Sequence, residues 1–188
     1  MSQNTEVSST AYADTLLELK AMLTRNVHFD DYKDIADFFD RLRPILNKEL
    51  GLTFECHSRL KSVNSIVNRL QLDSDYKFND IIGVRLTNPW TKNIHLIADY
   101  LKTKLKIESE LVTERNRVIY LFGKTERGNI YEIQLWTNLI YHCFEFEHDR
   151  VYKPVKELSD EEKNKALIVR DEQHKVQDII DAHTLVPY

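Results

Sequence analysis

The sequence is poor in the residues and runs that mark several protein classes. It has four Gly, four Pro and two Cys in 188 residues. Cys56 and Cys143 form no CxxC pair, so we expect two buried thiols in a reducing cytoplasm and no structural zinc site. No apolar run approaches the roughly 20 residues of a membrane helix, and the polar residues 1–10 do not resemble a secretory signal. These absences predict a cytoplasmic protein that does not span a membrane.

The charge balance narrows the class of partner. The chain has 26 Lys and Arg against 30 Asp and Glu, which gives a net charge of -4. Proteins that hold nucleic acid through their surface field are usually basic, so generic DNA binding is disfavoured. A local basic pocket remains compatible with this composition.

The hydrophobic pattern divides the chain into four parts. Residues 1–12 are polar and are predicted to be a disordered tail, and residues 13–51 are predicted to form N-terminal helices. Residues 52–153 alternate strand and helix patterns, and residues 154–188 form a C-terminal helical extension. This order predicts a single domain of the α+β (mixed α/β) class, with a central mixed sheet of about five strands flanked by helices.

A cluster of cations and hydroxyls precedes and opens one predicted helix. Arg59 and Lys61 lie on an extended segment and point to the same side. Ser65 and Arg69 are four residues apart on the following helix and share a face. Together with the N–H groups of the helix N-terminus, they can form an anion site for a triphosphate. The alternative is an ordinary amphipathic helix with a solvated polar face.

Two acidic residues belong to predicted strands. Asp80 begins an apolar strand, where a buried carboxylate needs a cation or a metal because an isolated buried charge is costly. Gly83, within that strand, indicates a bulge or a close backbone approach. Glu132 and Gln134 share one face of a later strand. The alternatives are an exposed strand-capping Asp and a strand whose polar face meets water.

Cations for phosphates and two separated carboxylates for a metal are what an enzyme that transfers phosphoryl groups requires. The motifs of other nucleotide-binding and hydrolytic classes are absent from the sequence: GxxxxGK[ST], GxGxxG, GxSxG and HExxH. A P-loop, a dinucleotide fold, a serine hydrolase and a zinc protease are therefore not expected.

Taken in order, four motifs resemble the synthetase domain of RelA/SpoT-type enzymes, which make the alarmone (p)ppGpp. That family shows R-x-K-x-x-x-S, D-[IL]-x-G-[IV]-R, E-[IV]-Q-[IL]-R-T and E-H-x-x-x-Y-K. The matching residues here are Arg59, Lys61 and Ser65; Asp80, Gly83 and Arg85; Glu132, Gln134 and Thr137; and Glu147, His148, Tyr152 and Lys153. The resemblance covers about residues 52–153 and implies a nucleotidyltransferase-like fold.

The resemblance also implies ATP as the donor substrate. Its nucleotide-binding residues would be Arg59, Lys61, Ser65, Arg69, Arg85 and Gln134. Arg59 and Arg85 would sandwich the adenine, which planar guanidinium groups can do by stacking. Lys61, Ser65 and Arg69 would hold the phosphates, and Arg69 stands where the family usually has Lys.

The two carboxylates would supply the catalytic part of the site. By the resemblance, Asp80 and Glu132 would hold Mg²⁺, and Glu132 would also help to deprotonate the attacking hydroxyl. The reaction would transfer the β,γ-pyrophosphate of ATP to a ribose 3′-hydroxyl, with the protein positioning the groups and neutralising charge.

The acceptor side departs from the family pattern. A G-Y-x-[SG]-x-H segment normally precedes the third motif, where its Tyr stacks on guanine and its His contacts phosphate. Residues 108–123 contain no such Tyr and no His. Tyr120 qualifies as a stacking residue only by type, and we expect it in the strand core. Trp136 stands where the family has Arg.

The leading interpretation is an ATP-dependent pyrophosphokinase that acts on GDP, GTP or an atypical acceptor such as the 3′ end of tRNA, which toxins of this family modify. One alternative is a nucleotide-binding or protein-interaction module that kept the fold without catalysis. Another is a nucleotidyltransferase that transfers AMP. The helices outside residues 52–153 would serve packing, homo-oligomer formation or an inhibitory protein partner.

Overall fold

The computed structural model describes residues 9–113, 117–147 and 158–183. Over these ranges, two helices come first, strands and helices follow, and two helices come last. The elements are α1 (Ser9–Val27), α2 (Phe29–Leu50), β1 (Glu55–Leu60), α3 (Val63–Leu72), β2 (Ile82–Asn88), α4 (Thr91–Lys104), β3 (Ile107–Thr113), β4 (Val118–Lys124), β5 (Ile130–Thr137), α5 (Asn138–Glu147) and α6 (Asp160–His183).

The strands form one mixed sheet in the order β1-β2-β5-β4-β3. Only the central pair, β2 and β5, is parallel among these neighbours, and the other pairs are antiparallel. A parallel pair needs a crossover connection, which here runs through α4 and the β3–β4 hairpin. The predicted single α+β domain with a five-stranded mixed sheet is confirmed.

One face of the sheet packs against helices α2 and α4. Alternate residues of β2 and β5 point to this face because side chains alternate along a strand. The helices cover it with buried apolar residues: Ile35, Phe39, Leu42 and Leu46 from α2, and Ile94, Ile97, Ala98 and Leu101 from α4. The opposite face is therefore left for the polar residues of β1, β2 and β5.

Helices α5 and α6 close one end of that opposite face. A small apolar cluster joins α5 to the sheet through Trp136, Ile140 and Tyr141. Helix α6 packs against α5, and Gln177 Nε2 donates a hydrogen bond to the carbonyl of Pro89 at 2.9 Å. The predicted C-terminal extension thus contributes a helix that packs on the domain.

Two expectations change, one about the start of the chain and one about the cysteines. Residues 9–12, predicted to be disordered, belong to α1, because adding a turn to a helix that is already formed costs little. Residues 1–8 lie outside the described part. Neither cysteine forms a disulfide, but both are half-buried where full burial was expected. Burial raises the pKa of the Cys56 thiol to about 11. No helix in the described ranges is long and apolar enough to cross a membrane.

A buried carboxylate on α2 is hydrogen-bonded to the turn between β4 and β5. Asp31 is 2% exposed. Its Oδ2 accepts hydrogen bonds from Thr125 Oγ1 at 2.9 Å and Asn129 Nδ2 at 2.5 Å, and its Oδ1 accepts from Arg127 Nη1 at 2.7 Å. Burial alone would raise the Asp31 pKa, but these three hydrogen bonds outweigh it and hold the pKa below its usual range.

We expect Asp31→Asn to lower the free energy of unfolding by about 2–3 kcal/mol at neutral pH, because an amide turns a donor toward groups that donate. A lowered carboxyl pKa stabilises the fold above the unfolded-state value and loses that effect as the pH falls through the folded value. The difference in free energy of unfolding between wild type and variant should therefore become smaller below about pH 4. Urea unfolding measured at several pH values tests this, with exposed Asp37→Asn as the control. A difference in free energy of unfolding between wild type and Asp31→Asn that stayed constant with pH would contradict this role.

Candidate functional site

An open cleft of about 850 Å³ lies between α3 and α5 over strands β1 and β2. Its lining combines cations, two separate carboxylates and aromatic rings with polar and apolar side chains: Arg59, Lys61, Ser65, Asn68, Arg69, Leu72, Tyr76, Asp80, Arg85, Phe144 and Glu145. The structure thus brings the predicted cation cluster together with Asp80 and Arg85. Gln134 lines a smaller adjoining pocket of about 40 Å³ with Arg59 and Arg85.

The α3 wall of the cleft follows from its capping sequence. Ser62 is the N-cap, and its Oγ accepts a hydrogen bond from the Ser65 backbone N–H at 3.2 Å. Ser62 Oγ also donates to Ser65 Oγ at 2.9 Å. Ser65 and Arg69 both line the cleft, as their spacing predicts. The Arg69 guanidinium lies over the Tyr76 ring, 4.1 Å from its centroid.

Asp80 meets the cation partner that its position predicts. Its Oδ2 accepts a hydrogen bond from Lys61 Nζ, and Arg59 Nη2 lies 3.9 Å away. Asp80 is 21% exposed and lies two residues before β2, so the predicted buried strand is confirmed but begins at Ile82 and not at Asp80. Between them, the Ile81 carbonyl accepts a hydrogen bond from the Lys61 backbone N–H at 2.8 Å, just beyond the end of β1.

Gly83 allows the Arg59 side chain to cross the backbone of β2. A Cβ at this position would lie 3.2 Å from Arg59 Nε and 3.3 Å from its Cγ. The close approach predicted for Gly83 is therefore confirmed. The strand register continues this line from Arg59 through Gly83 to Glu132 on β5. Arg59 thus lies on the same face as the buried carboxylate, two strands away.

The amide of Gln134 has an orientation that its neighbours set. Its Oε1 accepts hydrogen bonds from Arg85 Nε and Trp136 Nε1, each at 3.2 Å. Its Nε2 therefore turns to Glu132 and donates to Oε1 at 2.5 Å. The predicted shared face of Glu132 and Gln134 is confirmed. Buried Trp136 holds the Gln134 amide in this orientation through its hydrogen bond to Oε1.

Glu132 is a buried carboxylate whose pKa is raised by some neighbouring groups and lowered by others. It is 8% exposed. Burial raises its pKa above the usual range, and the Asp80 carboxylate raises the pKa further. The hydrogen bond from Gln134 and the charges of Arg59 and Lys61 act in the opposite direction without overcoming burial. A carboxylate with a raised pKa accepts protons more readily near neutral pH, as a general base must.

Helix α5 holds Arg85 in place. Arg85 Nη1 donates to the Tyr141 hydroxyl at 2.8 Å and lies 3.6 Å from Glu145 Oε1. The Tyr141 hydroxyl in turn donates to Glu145. Sequence reasoning missed Tyr141 and Glu145, although their i,i+4 spacing on an otherwise apolar helix was a usable signal. It also missed Tyr76, which lies in an irregular segment without periodicity.

An aromatic pair lies on the same face beyond Glu132. The rings of Tyr120 and Phe122 on β4 are parallel within 8°, with centroids 6.4 Å apart. In the β4–β5 register, Tyr120 is opposite Gln134 and Phe122 is opposite Glu132. Tyr120 was expected in the strand core. It is half-buried at the margin of the cluster that contains Trp136.

Part of the fourth motif cannot be placed. Glu147 ends α5, but its side chain, like His148, Tyr152 and Lys153, lies outside the described residues. Within the described ranges, no group of three or more His, Cys, Asp and Glu side chains could hold a metal. The metal residues that the resemblance implies, Asp80 and Glu132, number two, and Mg²⁺ is commonly held by one or two carboxylates with substrate phosphates completing its shell.

No family model matches the sequence, and no curated protein sequence matches it. Solved structures do match the fold. The small alarmone synthetase 2 from Bacillus subtilis superposes with a TM-score of 0.68 at 20% identity, covering 85% of this chain and 97% of that one. The small alarmone synthetase 1 from the same organism, bound to its product pppGpp, gives a TM-score of 0.70 at 16% identity, covering 84% and 92%.

A second structure of small alarmone synthetase 1 from Bacillus subtilis, bound to AMPCPP, gives a TM-score of 0.61 at 15% identity. It covers 84% of this chain and 91% of that one. These similarities extend over nearly the whole of each relative, so the shared unit is the complete domain. The chain therefore has the fold of the small alarmone synthetases, as its resemblance to the RelA/SpoT synthetase domain predicts.

Proposed function

We propose that this chain is an ATP-dependent pyrophosphokinase of the cytoplasm, which transfers the β,γ-pyrophosphate of ATP to a ribose 3′-hydroxyl. The observation that carries the proposal is the convergence of Arg59, Lys61, Ser65 and Arg69 on one cleft, with buried Glu132 on the same face of the sheet. The similar small alarmone synthetase 1 binds AMPCPP in one structure and pppGpp in another, which supports nucleotides as ligands.

The donor ATP would lie in the cleft between α3 and α5. Lys61 and Arg69 supply positive charge for the phosphates, and the Ser65 hydroxyl lines the same wall. The guanidinium groups of Arg59 and Arg85 both line the cleft and would stack on the adenine. Arg85 is already fixed by Gln134 and α5, so little side-chain entropy is lost when a base binds.

Asp80 and Glu132 would hold Mg²⁺. Their carboxylates are near enough for Asp80 to raise the pKa of Glu132, and a divalent cation between two such groups would relieve that repulsion. The pair matches the one or two carboxylates that Mg²⁺ usually takes from a protein. When bound, the ion would neutralise charge on the phosphates.

Glu132 would act as the general base. It takes the proton of the ribose 3′-hydroxyl as the 3′-oxygen forms a bond to the β-phosphorus of ATP. The bond between the β-phosphorus and the oxygen that bridges it to the α-phosphorus breaks, and AMP leaves with that oxygen. The acceptor gains a diphosphate at its 3′-oxygen. The hydrogen bond from Gln134 to Oε1 keeps the carboxylate turned toward the face on which the reaction takes place.

The test is transfer of label from [γ-³²P]ATP with Mg²⁺ to GDP, GTP, ATP or bulk tRNA, with AMP measured in parallel. We expect one acceptor to become labelled and AMP to accumulate with it. If no acceptor gains label and no AMP forms, the proposed activity is wrong. Release of pyrophosphate in place of AMP would identify an AMP-transferring nucleotidyltransferase.

A second candidate is a nucleotide-binding module without catalysis. The lack of a G-Y-x-[SG]-x-H segment in residues 108–123 favours it. Calorimetric titration with AMPCPP separates the two: tight binding without transfer to any acceptor would support the module. Absence of both binding and transfer would leave a structural role or a protein partner, such as a second copy or an inhibitory protein at the flanking helices.

A further inference from the structure

We propose that Tyr76 is a positioning residue, which holds the guanidinium of Arg69 in the cleft for the phosphates of the donor nucleotide. Tyr76 lies in the irregular segment 73–81 between α3 and β2, and none of the four sequence motifs includes it. This inference rests on the proposed binding of ATP in the cleft. It adds to the phosphate-binding side a residue that acts through another.

The chain turns back after α3, so that Tyr76 reaches Arg69. The Arg69 carbonyl accepts a hydrogen bond from the Asp73 backbone N–H at 3.1 Å at the end of the helix. The Asp73 carbonyl accepts from the Tyr76 N–H at 3.2 Å, and Asp73 Oδ1 accepts from the Asp75 N–H at 3.1 Å. Such side-chain and backbone hydrogen bonds are typical of a turn that begins with Asp. The turn places the Tyr76 ring centroid 4.1 Å from the Arg69 guanidinium.

An aromatic ring can hold a cation without neutralising it. The ring face carries partial negative charge and attracts the planar guanidinium of an arginine. Lys61 forms an ion pair with Asp80, but no carboxylate among the described residues forms an ion pair with Arg69. Arg69 therefore keeps its whole charge for an anion. Because the ring already restricts the side chain, less entropy is lost when phosphates bind.

Tyr76 is itself fixed by the core. Its ring and the ring of Phe78 meet edge to face, with centroids 5.0 Å apart and an angle of 74° between their planes. Phe78 packs against a buried apolar cluster between α1 and α3: Ala21, Ile66, Leu70 and Ile81. Lys20 Nζ on α1 donates a hydrogen bond to the Ser74 carbonyl at 2.5 Å, in the same segment. The ring beside Arg69 is therefore anchored to packed helices.

Direct contact with the adenine is the competing explanation, because Tyr76 lines the cleft and aromatic rings stack on bases. The cation–π contact favours positioning, since the Arg69 guanidinium already lies over the ring. Arg69 also shares the α3 wall with Ser65, on the side proposed for the phosphates. The two explanations differ in additivity. A residue that acts through Arg69 has little left to lose once Arg69 is removed, whereas a separate base contact would be lost independently.

The test is a double-mutant cycle of Tyr76→Leu, Arg69→Met and the two combined. Tyr76→Phe keeps the ring and removes only the hydroxyl. The control is Phe29→Leu, which removes a ring that lies 4.7 Å from Lys33 Nζ on α2, outside the cleft lining. Calorimetry gives the Kd of AMPCPP and of inorganic tripolyphosphate, each with Mg²⁺, and the thermal unfolding midpoint reports folding. Tripolyphosphate has no base, so it measures the phosphate side alone.

We expect Tyr76→Leu to raise both Kd values by about 3- to 10-fold, the effect of losing one cation–π contact. Tyr76→Phe and Phe29→Leu should stay within about twofold of wild type. The double variant should bind no more weakly than Arg69→Met. The positioning role is overturned if Tyr76→Leu keeps wild-type affinity or if the two effects add in the double variant. Weaker binding of AMPCPP with unchanged binding of tripolyphosphate also overturns it, since that result indicates contact with the base.

A second measurement does not depend on the folding of Tyr76→Leu. In the ¹H–¹⁵N spectrum of wild type, the Arg69 Nε–H resonance is identified by its loss in Arg69→Met. The ring current of Tyr76 should move this resonance upfield of ordinary arginine values. A resonance at the ordinary position would overturn the contact and with it the positioning role.

Both measurements report binding without turnover, so they separate this role from the proposed reaction. Coupled effects of Tyr76 and Arg69 in a protein that transfers no pyrophosphate would support the positioning role and reject the reaction. Transfer by wild type, together with additive effects in the cycle, would reject the positioning role alone. If wild type binds neither AMPCPP nor tripolyphosphate, the positioning role fails together with the proposed donor site.

Discussion

Replacing Glu132 with Gln should lower pyrophosphate transfer by about 10²–10⁴-fold, the usual contribution of a general base. The amide cannot take the 3′-hydroxyl proton, and the substitution removes one of the two carboxylates that we propose as Mg²⁺ ligands. Its carbonyl can still accept the hydrogen bond that Gln134 Nε2 donates to Oε1. The variant therefore removes the chemistry while keeping the local hydrogen bonding.

The same substitution should leave the fold at least as stable as wild type at neutral pH. Burial raises the Glu132 pKa. A raised carboxyl pKa stabilises the fold below the unfolded-state value, and this contribution is lost as the pH rises through the folded value. The stability of Glu132→Gln should therefore rise relative to that of wild type as the pH increases above the unfolded-state carboxyl pKa of about 4.

Turnover assays and thermal unfolding measured on one preparation check both parts, with exposed Glu126→Gln as the matched control. Near-wild-type activity of Glu132→Gln would exclude this carboxylate as the base. A variant that is inactive because it is unfolded would show that Glu132 holds the structure together instead.

Replacing Lys61 with Met should lower kcat/KM for ATP by about 10²–10³-fold, as for loss of one positioned donor to a developing negative charge. Lys61 is only 15% exposed, forms an ion pair with Asp80 and lines the cleft. Its ammonium is a local charge that neutralises the carboxylate and faces the site proposed for the phosphates. Met keeps much of the stem that packs there and removes the charge.

The control for this loss is Lys92→Met, an exposed lysine at the start of α4. Lys61→Arg should recover part of the activity because it restores the charge with a different donor geometry. Steady-state kinetics in ATP and calorimetry with AMPCPP report catalysis and binding separately. A Lys61→Met variant that binds AMPCPP as tightly as wild type and loses less than about 10-fold in kcat/KM would place the phosphates elsewhere.

The sequence predicts those site residues that share a face of one helix or one strand, because their spacing matches the period of that element. Ser65 and Arg69 share a helix face four residues apart, and Glu132 and Gln134 share a strand face two residues apart. The structure confirms both shared faces. Gly83 was predictable as a close approach because a glycine inside an apolar strand has few other uses.

The remaining contacts depend on which strands become neighbours. Arg85 meets Tyr141 across 56 residues, and Asp31 meets Thr125 across 94. Phe122 lies beside Glu132 because β4 pairs with β5. Neither hydrophobic periodicity nor motif spacing encodes that pairing, so these positions read as ordinary strand or helix residues until the sheet order is known.

The most direct test of the account is to identify which bond of ATP breaks. A ³¹P NMR spectrum of the complete reaction, with unlabelled ATP, Mg²⁺ and the acceptor that gains label, resolves the products. Pyrophosphate transfer produces AMP and a 3′-diphosphate on the acceptor in equal amounts, and neither should form when the acceptor is omitted. ADP, or pyrophosphate with an adenylylated acceptor, would contradict it, because either product requires attack at a different phosphorus.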